Sequence, residues 1–171
     1  MTLAVPVNSS SMGQSATGSA ARQLEVVAFR VGTQEFCVDI MTVREIRGWT
    51  QATRLPHVPD FVNGVINLRG TVLPVIDLAV RFGGTSRSPS ARDVIIVTQV
   101  DAQLVGLLVD GVSDILSISK ASVQPTPDVG SELAEKFVKG LIAVDGRMIS
   151  LIDLEDVLPR TMRETPQLNR E

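Results

Sequence analysis

Two residues of this chain could form a nucleophile and its base: Cys37, the only cysteine, and His57, the only histidine. Such a pair would carry out acyl transfer through a thiolate, which needs polar or cationic surroundings to hold its charge. Cys37 instead stands between Phe36 and Val38 in an apolar run, where a free cysteine behaves as a small buried hydrophobe. His57, between Pro56 and Val58, reads as an ordinary loop residue. One cysteine and one histidine also exclude an internal disulfide and a Cys/His zinc cluster. Asp77 could be imagined as a phosphoacceptor, but that chemistry needs an acidic magnesium cluster at the strand ends of a parallel α/β fold. Asp77 is followed by Leu78-Ala79-Val80-Arg81-Phe82, so its carboxylate is better read as the cap of one helical turn.

Other constellations are missing. Gly83-Gly84-Thr85 has no lysine at P-loop spacing. There is no Gly-x-Ser-x-Gly elbow, and Asp39, Glu45, Asp60, Asp110 and Asp114 are dispersed without a partner base. No catalytic residue, cofactor or metal is expected.

The elements that would position any site are strands. Of 171 residues 44% are hydrophobic and only 4% aromatic, with no Tyr, a Val/Ile/Leu-rich balance that favours buried strands. A net charge of −3 from 16 basic and 19 acidic residues, scattered along the chain, offers no footprint for nucleic acid or anionic lipid. No stretch approaches the ~18 to 20 apolar residues that span a bilayer, and Met1 to Ala21 lacks a basic segment before an apolar one. A cytoplasmic protein is expected. Residues 1–22, rich in Ser, Gly, Ala and Thr, read as a flexible tail, residues 23–158 as the folded unit, and residues 159–171 as a second tail.

Four hairpins follow from alternation and turn chemistry. They join Leu24–Val31 to Glu35–Ile40, Val65–Ile66 to Val72–Ile76 through Asn67-Leu68-Arg69-Gly70, Asp93–Val97 to Leu104–Val109, and Leu141–Val144 to Arg147–Ile152 through Asp145-Gly146. Pro74 lacks a ladder donor, which suggests an edge strand or a neighbouring bulge. Short closing turns are expected after Asp77 and over Leu154 to Leu158.

The pattern occurs twice. Phe61-Val62-Asn63-Gly64 aligns with Phe137-Val138-Lys139-Gly140 at an offset of 76, bringing Ile66/Ile142, Gly70/Gly146, Ile76/Ile152 and Asp77/Asp153 into register. Val43-Arg44-Glu45-Ile46 aligns with Val112-Ser113-Asp114-Ile115 at an offset of 69, which puts seven extra residues (76 − 69) into the loop of Pro125, Pro127 and Gly130. Two copies of about five short strands bury little unless they close or pack on a twin, so two small barrels with a common core are expected. A residue present in both copies serves the shared architecture before it serves a single site.

What remains is surface recognition. Gly48-Trp49, Gly64 to Gly70 and Asp110-Gly111-Val112 read as loops with special backbone geometry. Trp49 reads as a core edge. Arg69, beside Gly70 at a hairpin tip, should be solvated or paired with a carboxylate such as Glu45.

Glu45-Ile46-Arg47-Gly48-Trp49, Asn63 through Gly70, Pro74-Val75-Ile76-Asp77-Leu78 and Val109-Asp110-Gly111-Val112-Ser113-Asp114 closely resemble the CheW family over about Gln23 to Leu158. The resemblance implies an all-β fold of two intertwined five-stranded SH3-like barrels. It also implies a non-catalytic chemotaxis adaptor that couples the cytoplasmic tip of a methyl-accepting chemoreceptor to the regulatory domain of the histidine kinase CheA. Carried over residue by residue, a receptor-facing groove between the barrels would use Ile40, Val43, Glu45, Val94, Val112 and Ile115, with Gly64 and Arg69 where receptor and kinase contacts meet. Trp49 departs from the Tyr common there. The alternatives are a Cys37/His57 enzyme and an SH3-like nucleic-acid binder, the latter disfavoured by the acidic balance and the few aromatics.

Overall fold

The computed structural model describes residues 23–85, 88–127 and 136–159. The tails read from the sequence therefore lie outside the described residues, Pro159 aside, as does the part of the long loop from residue 128 to 135.

Among the described residues ten strands run in chain order: β1 Gln23–Val31, β2 Gln34–Asp39, β3 Val43–Gly48, β4 Val62–Leu68, β5 Thr71–Asp77, β6 Val94–Val100, β7 Gln103–Val109, β8 Gly111–Ser119, β9 Val138–Val144 and β10 Arg147–Ile152. Two one-turn helices follow β5 and β10, α1 over Leu78–Arg81 and α2 over Leu154–Val157. Four residues cannot hold a helix alone, so each depends on its cap and its packing. The Asp77 carboxylate accepts from the Ala79 and Val80 amides at 3.0 and 3.4 Å, and the Asp153 carboxylate from the Glu155 amide at 3.0 Å. The capping role read for Asp77 holds, and Asp153 repeats it.

All four expected hairpins form. In two of them the turn has two residues with both φ positive, Arg69 (52°)-Gly70 (89°) and Asp145 (49°)-Gly146 (77°), the mirror-image geometry that matches strand twist. The loops read at Gly64 and at Gly111-Val112 need correction. Gly64 lies inside β4, and Gly111 and Val112 open β8.

The strands sort into two five-stranded sheets, ordered β8-β1-β2-β10-β9 and β3-β6-β7-β5-β4. The second, here the central barrel, uses consecutive strands. The first, the terminal barrel, is made from both ends of the folded region. Each barrel thus takes the opening hairpin of one repeat and the last three strands of the other, which is the intertwining that the resemblance implied.

Corresponding ladders have the same register. Glu45 pairs with Val97 as Asp114 pairs with Ala28 (114 − 45 = 69; 97 − 28 = 69). Val75 pairs with Gly106 as Leu151 pairs with Cys37 (151 − 75 = 76; 106 − 37 = 69). Each sheet closes through a single bridge from the segment after its first strand to its last, Thr53 to Val65 and Gln124 to Leu141.

Pro74 does not mark an edge, because β5 lies between β7 and β4. Val65 exchanges both of its backbone hydrogen bonds with Thr53, so the facing Val65–Pro74 pair is a non-hydrogen-bonded one. The proline nitrogen therefore faces away from β4, where the β7 ladder begins only at Val75. The bulge between Val62 and Gly64 lies on the neighbouring strand β4.

Each barrel encloses its own aliphatic core: Val26, Ala28, Cys37, Ile118, Ile142, Ile149 and Leu151 in the terminal barrel, and Ile66, Leu68, Leu73, Val75, Ile95, Val97 and Leu108 in the central one. A third, larger cluster belongs to both. It joins Val27, Phe29 and Phe36 to Ile76, Ile96 and Leu107, and both closing turns bury Leu78, Leu154 and Val157 in it. Burying one such side chain contributes about 1.5–3 kcal/mol, so the common core binds the barrels into one unit.

Candidate functional site

The shared core carries four of the six positions read for the groove. Ile40, in a 3-10 turn between β2 and β3, packs against that core with Val43, Val94 and Val112, all four partly buried. Val43 pairs with Thr98 and Val94 opens the same strand. Four residues of extended chain thus separate Val94 from the position facing Val43, about 13 Å. Val43 and Val112 are the same position of the two repeats (112 − 43 = 69), and so are Ile46 and Ile115, both exposed. Ile115 lies outside the seam cluster and is 55% exposed.

At one end of the central barrel, Glu45 on β3 is hydrogen-bonded by Arg69 Nη2. Arg69 follows β4, and β3 and β4 stand at opposite ends of the sheet order, so the pair links the same two ends of the sheet as the Thr53–Val65 bridge. Arg47 Nη1 approaches the other carboxylate oxygen at 3.7 Å. The Arg69 hydrogen bond, aided by its charge and that of Arg47, holds the Glu45 carboxyl below the ordinary glutamate range. The expected partnership of Arg69 with Glu45 is present. Arg69 nevertheless remains 72% exposed in its side chain, on a left-handed backbone where Gly, Asn or Asp would be relaxed.

The repeat separates architecture from function at these positions. The equivalents of Glu45 and Arg69 in the terminal barrel are Asp114 and Asp145 (145 − 69 = 76), two carboxylates, so the same register produces no ion pair there. Glu45–Arg69 is thus particular to one barrel. Gly64, by contrast, is buried and recurs as Gly140. A Cβ on Gly64 would stand 2.5 Å from the Thr53 carbonyl oxygen, and one on Gly140 2.8 Å from that of Gln124. Both glycines let the closing segment cross its last strand, so Gly64 shapes the site without offering a side chain to it. A glycine at matched positions of both repeats was the available signal.

The catalytic alternative loses its nucleophile. Cys37 is fully buried in β2, and burial pushes its thiol up to about 12. His57 sits exposed in a turn at φ 59°. Trp49 packs against the core of the central barrel, as read. No group of three His, Cys, Asp or Glu side chains among the described residues is arranged to hold a metal, and no helix among them is long and apolar enough to cross a membrane.

These features define a two-barrel β protein built by strand exchange between internal repeats, with an apolar seam at the junction. The CheW-like domain family matches residues 25–162. The chain is 56% identical over 140 residues to the chemotaxis protein CheW of Rhizobium meliloti (strain 1021), covering 82% of this chain and 90% of that one. To the chemotaxis protein CheW of Klebsiella aerogenes it is 42% identical over 78% of this chain and 81% of the other. The crystal structure of the scaffolding protein TtCheW from Thermoanaerobacter tengcongensis superposes with a TM-score of 0.71 at 35% identity, covering 76% of this chain and 88% of that chain. The chain belongs to the CheW family, and it is a chemotaxis scaffold, not an enzyme.

Proposed function

We propose that this chain couples the cytoplasmic tip of a methyl-accepting chemoreceptor to the regulatory domain of the histidine kinase CheA, working in the cytoplasm at receptor arrays. The apolar strip of Ile40, Val43, Val94 and Val112, with Glu45 and Ile115 at its margins, takes one face of a receptor helix. The Arg69 tip meets receptor and kinase together, and Gly64 keeps that tip in place. Neither partner reacts with the chain, and the signal passes as altered geometry.

The observation that carries this reading is the Glu45–Arg69 pair. It stands in one barrel where the other has two carboxylates, and it keeps a largely exposed arginine on a backbone disfavoured for it. Strain of this kind persists where a surface is used. Single contacts of this size give micromolar complexes, about −8 kcal/mol, which an array strengthens by multivalency.

The test is autophosphorylation of a CheA-type kinase with its receptor, with and without this protein. Receptor-dependent activation only in its presence is expected. No effect with two partners shown to be active overturns the reading.

A further inference from the structure

All five phenylalanines of the chain meet in one file. Phe29 and Phe36 stack with ring centres 6.2 Å apart, Phe36 and Phe82 lie at 4.8 Å, and Phe82 and Phe137 at 5.6 Å. Arg81 completes the file, its guanidinium carbon 4.4 Å from the centre of Phe61 and 4.7 Å from that of Phe137. Phe61 and Phe137 are the same position of the two repeats (137 − 61 = 76). Each accepts the amide of the Asp that caps the turn beside it, Asp77 at 2.7 Å and Asp153 at 2.9 Å. One ring leads into β4 of the central barrel and the other into β9 of the terminal barrel, so the cation lies between the barrels.

Its hydrogen bonds cross the same boundary. Arg81 Nε donates to the Val157 carbonyl at 2.6 Å and Nη2 to the Asp156 carbonyl at 3.4 Å. These are the last carbonyls of α2, which no following helical amide reaches. Arg81 and Val157 are themselves equivalent (157 − 81 = 76), so the guanidinium sits on the axis that relates the repeats and bonds to its own counterpart. Only one side of such an axis can carry the charge, because two guanidiniums there would repel.

We propose that Arg81 is the positioning residue that sets the barrels relative to each other, and with them the width of the seam, by holding α2 of the terminal barrel against the turn that closes the central one. The remaining contacts across the boundary are mostly aliphatic, and such contacts are non-directional. A planar guanidinium set over two rings and bonded to two carbonyls is directional. Its burial costs hydration and pulls the group below its ordinary value, and charge-assisted bonds offset that cost. The consequence for the seam rests on the function proposed above.

The test reads geometry without any partner. Spin labels are placed on the full chain at Val72→Cys and Met148→Cys, equivalent positions (148 − 72 = 76) that are 63% and 57% exposed, one on each barrel, while Cys37 stays buried. The parent should give one narrow distance. Arg81→Met, which keeps the stem and loses the donors, should broaden it or shift it by about 1–2 Å and speed exchange of the Val157 and Leu158 amides about tenfold. Arg81→Lys should fall between, since it keeps the charge and loses the fork. A folded Arg81→Met with the parent's distance and exchange rates overturns the proposal. Should that variant not fold, parental behaviour of Arg81→Lys in both measurements overturns it instead. Failure of the parent to activate the kinase would overturn the proposed function and leave these distances as they are.

Discussion

Gly64 and Gly140 occupy the same trap in the two barrels, each with a carbonyl of the closing segment standing where a side chain would begin. Alanine at either position must push that segment off the last strand and break the bridge that shuts the barrel. The obstacle at Gly64 is backbone at 2.5 Å, with φ of +151° adding strain. Gly64→Ala should therefore destabilise the protein by about 2 kcal/mol or more, a fall of about 4–8 °C in Tm for a domain of this size. Gly140→Ala should do the same, because this effect is architectural. Only Gly64→Ala should also lower receptor coupling, since only its barrel carries Arg69. Thermal melts alongside kinase activation separate the two.

Arg69→Asn relaxes a left-handed turn position and removes an exposed cation. Relaxing the turn offsets the lost pair with Glu45, so stability should change by less than about 1 kcal/mol in either direction, while formation of the receptor–kinase complex is lost. Denaturant midpoints and co-sedimentation with both partners would check this, and unchanged assembly would remove Arg69 from the site.

The Glu45 carboxyl titrates below the ordinary range because Arg69 hydrogen-bonds its charged form. A folded value below the unfolded one means that the pair contributes stability above the ordinary glutamate value, about 4.3, and loses it as pH falls through the lower folded value. Carbon-detected NMR of the Glu45 side chain should show this depressed midpoint in the parent and its return toward the ordinary range in Arg69→Asn.

Cys37, with its thiol near 12 and no exposure, should resist thiol reagents in the native state and react only on unfolding. Cys37→Ala should keep full coupling. Cys37→Ser places a hydroxyl in an aliphatic core and should cost about 1–3 kcal/mol, again with coupling intact. A loss of coupling in stable, folded Cys37→Ala would revive a thiol mechanism.

Much of this was legible in the sequence because turns and caps are local. Asp145-Gly146, Asn67 through Gly70, and Asp77 before Leu78 announce themselves by backbone chemistry. Strands β3 and β8 were harder, since both are largely exposed and carry Arg, Glu, Asp and Ser, so Gly111-Val112 passed for a loop. Pro74 reads as an edge or a neighbouring bulge; the bulge is present on β4, and the edge is not, because the missing donor falls beyond the β7 ladder, which only the pairing reveals. Strand exchange leaves no trace in the residues themselves, as the repeat reads the same whether each copy closes on itself or on its twin. It was the family resemblance that supplied it. At the site, Arg69 and Glu45 could be paired on charge alone, whereas the burial of Gly64 depends on Thr53, a contact with no sequence pattern.

The nesting of one barrel inside the chain of the other also sets the order in which the protein can be finished as it is made. Every strand of the central barrel has been synthesised by Val109, but the hairpin of β1 and β2 must wait for β10, which ends at Ile152. At about 5–20 residues per second, those 43 residues (152 − 109) take about 2–9 s. During that interval the face of Phe29, Phe36 and Val38 can be covered by the completed central barrel but not by the turn that Arg81 later grips. The molecule is closed last at its C-terminal turn, where the end of the second repeat meets Arg81 of the first.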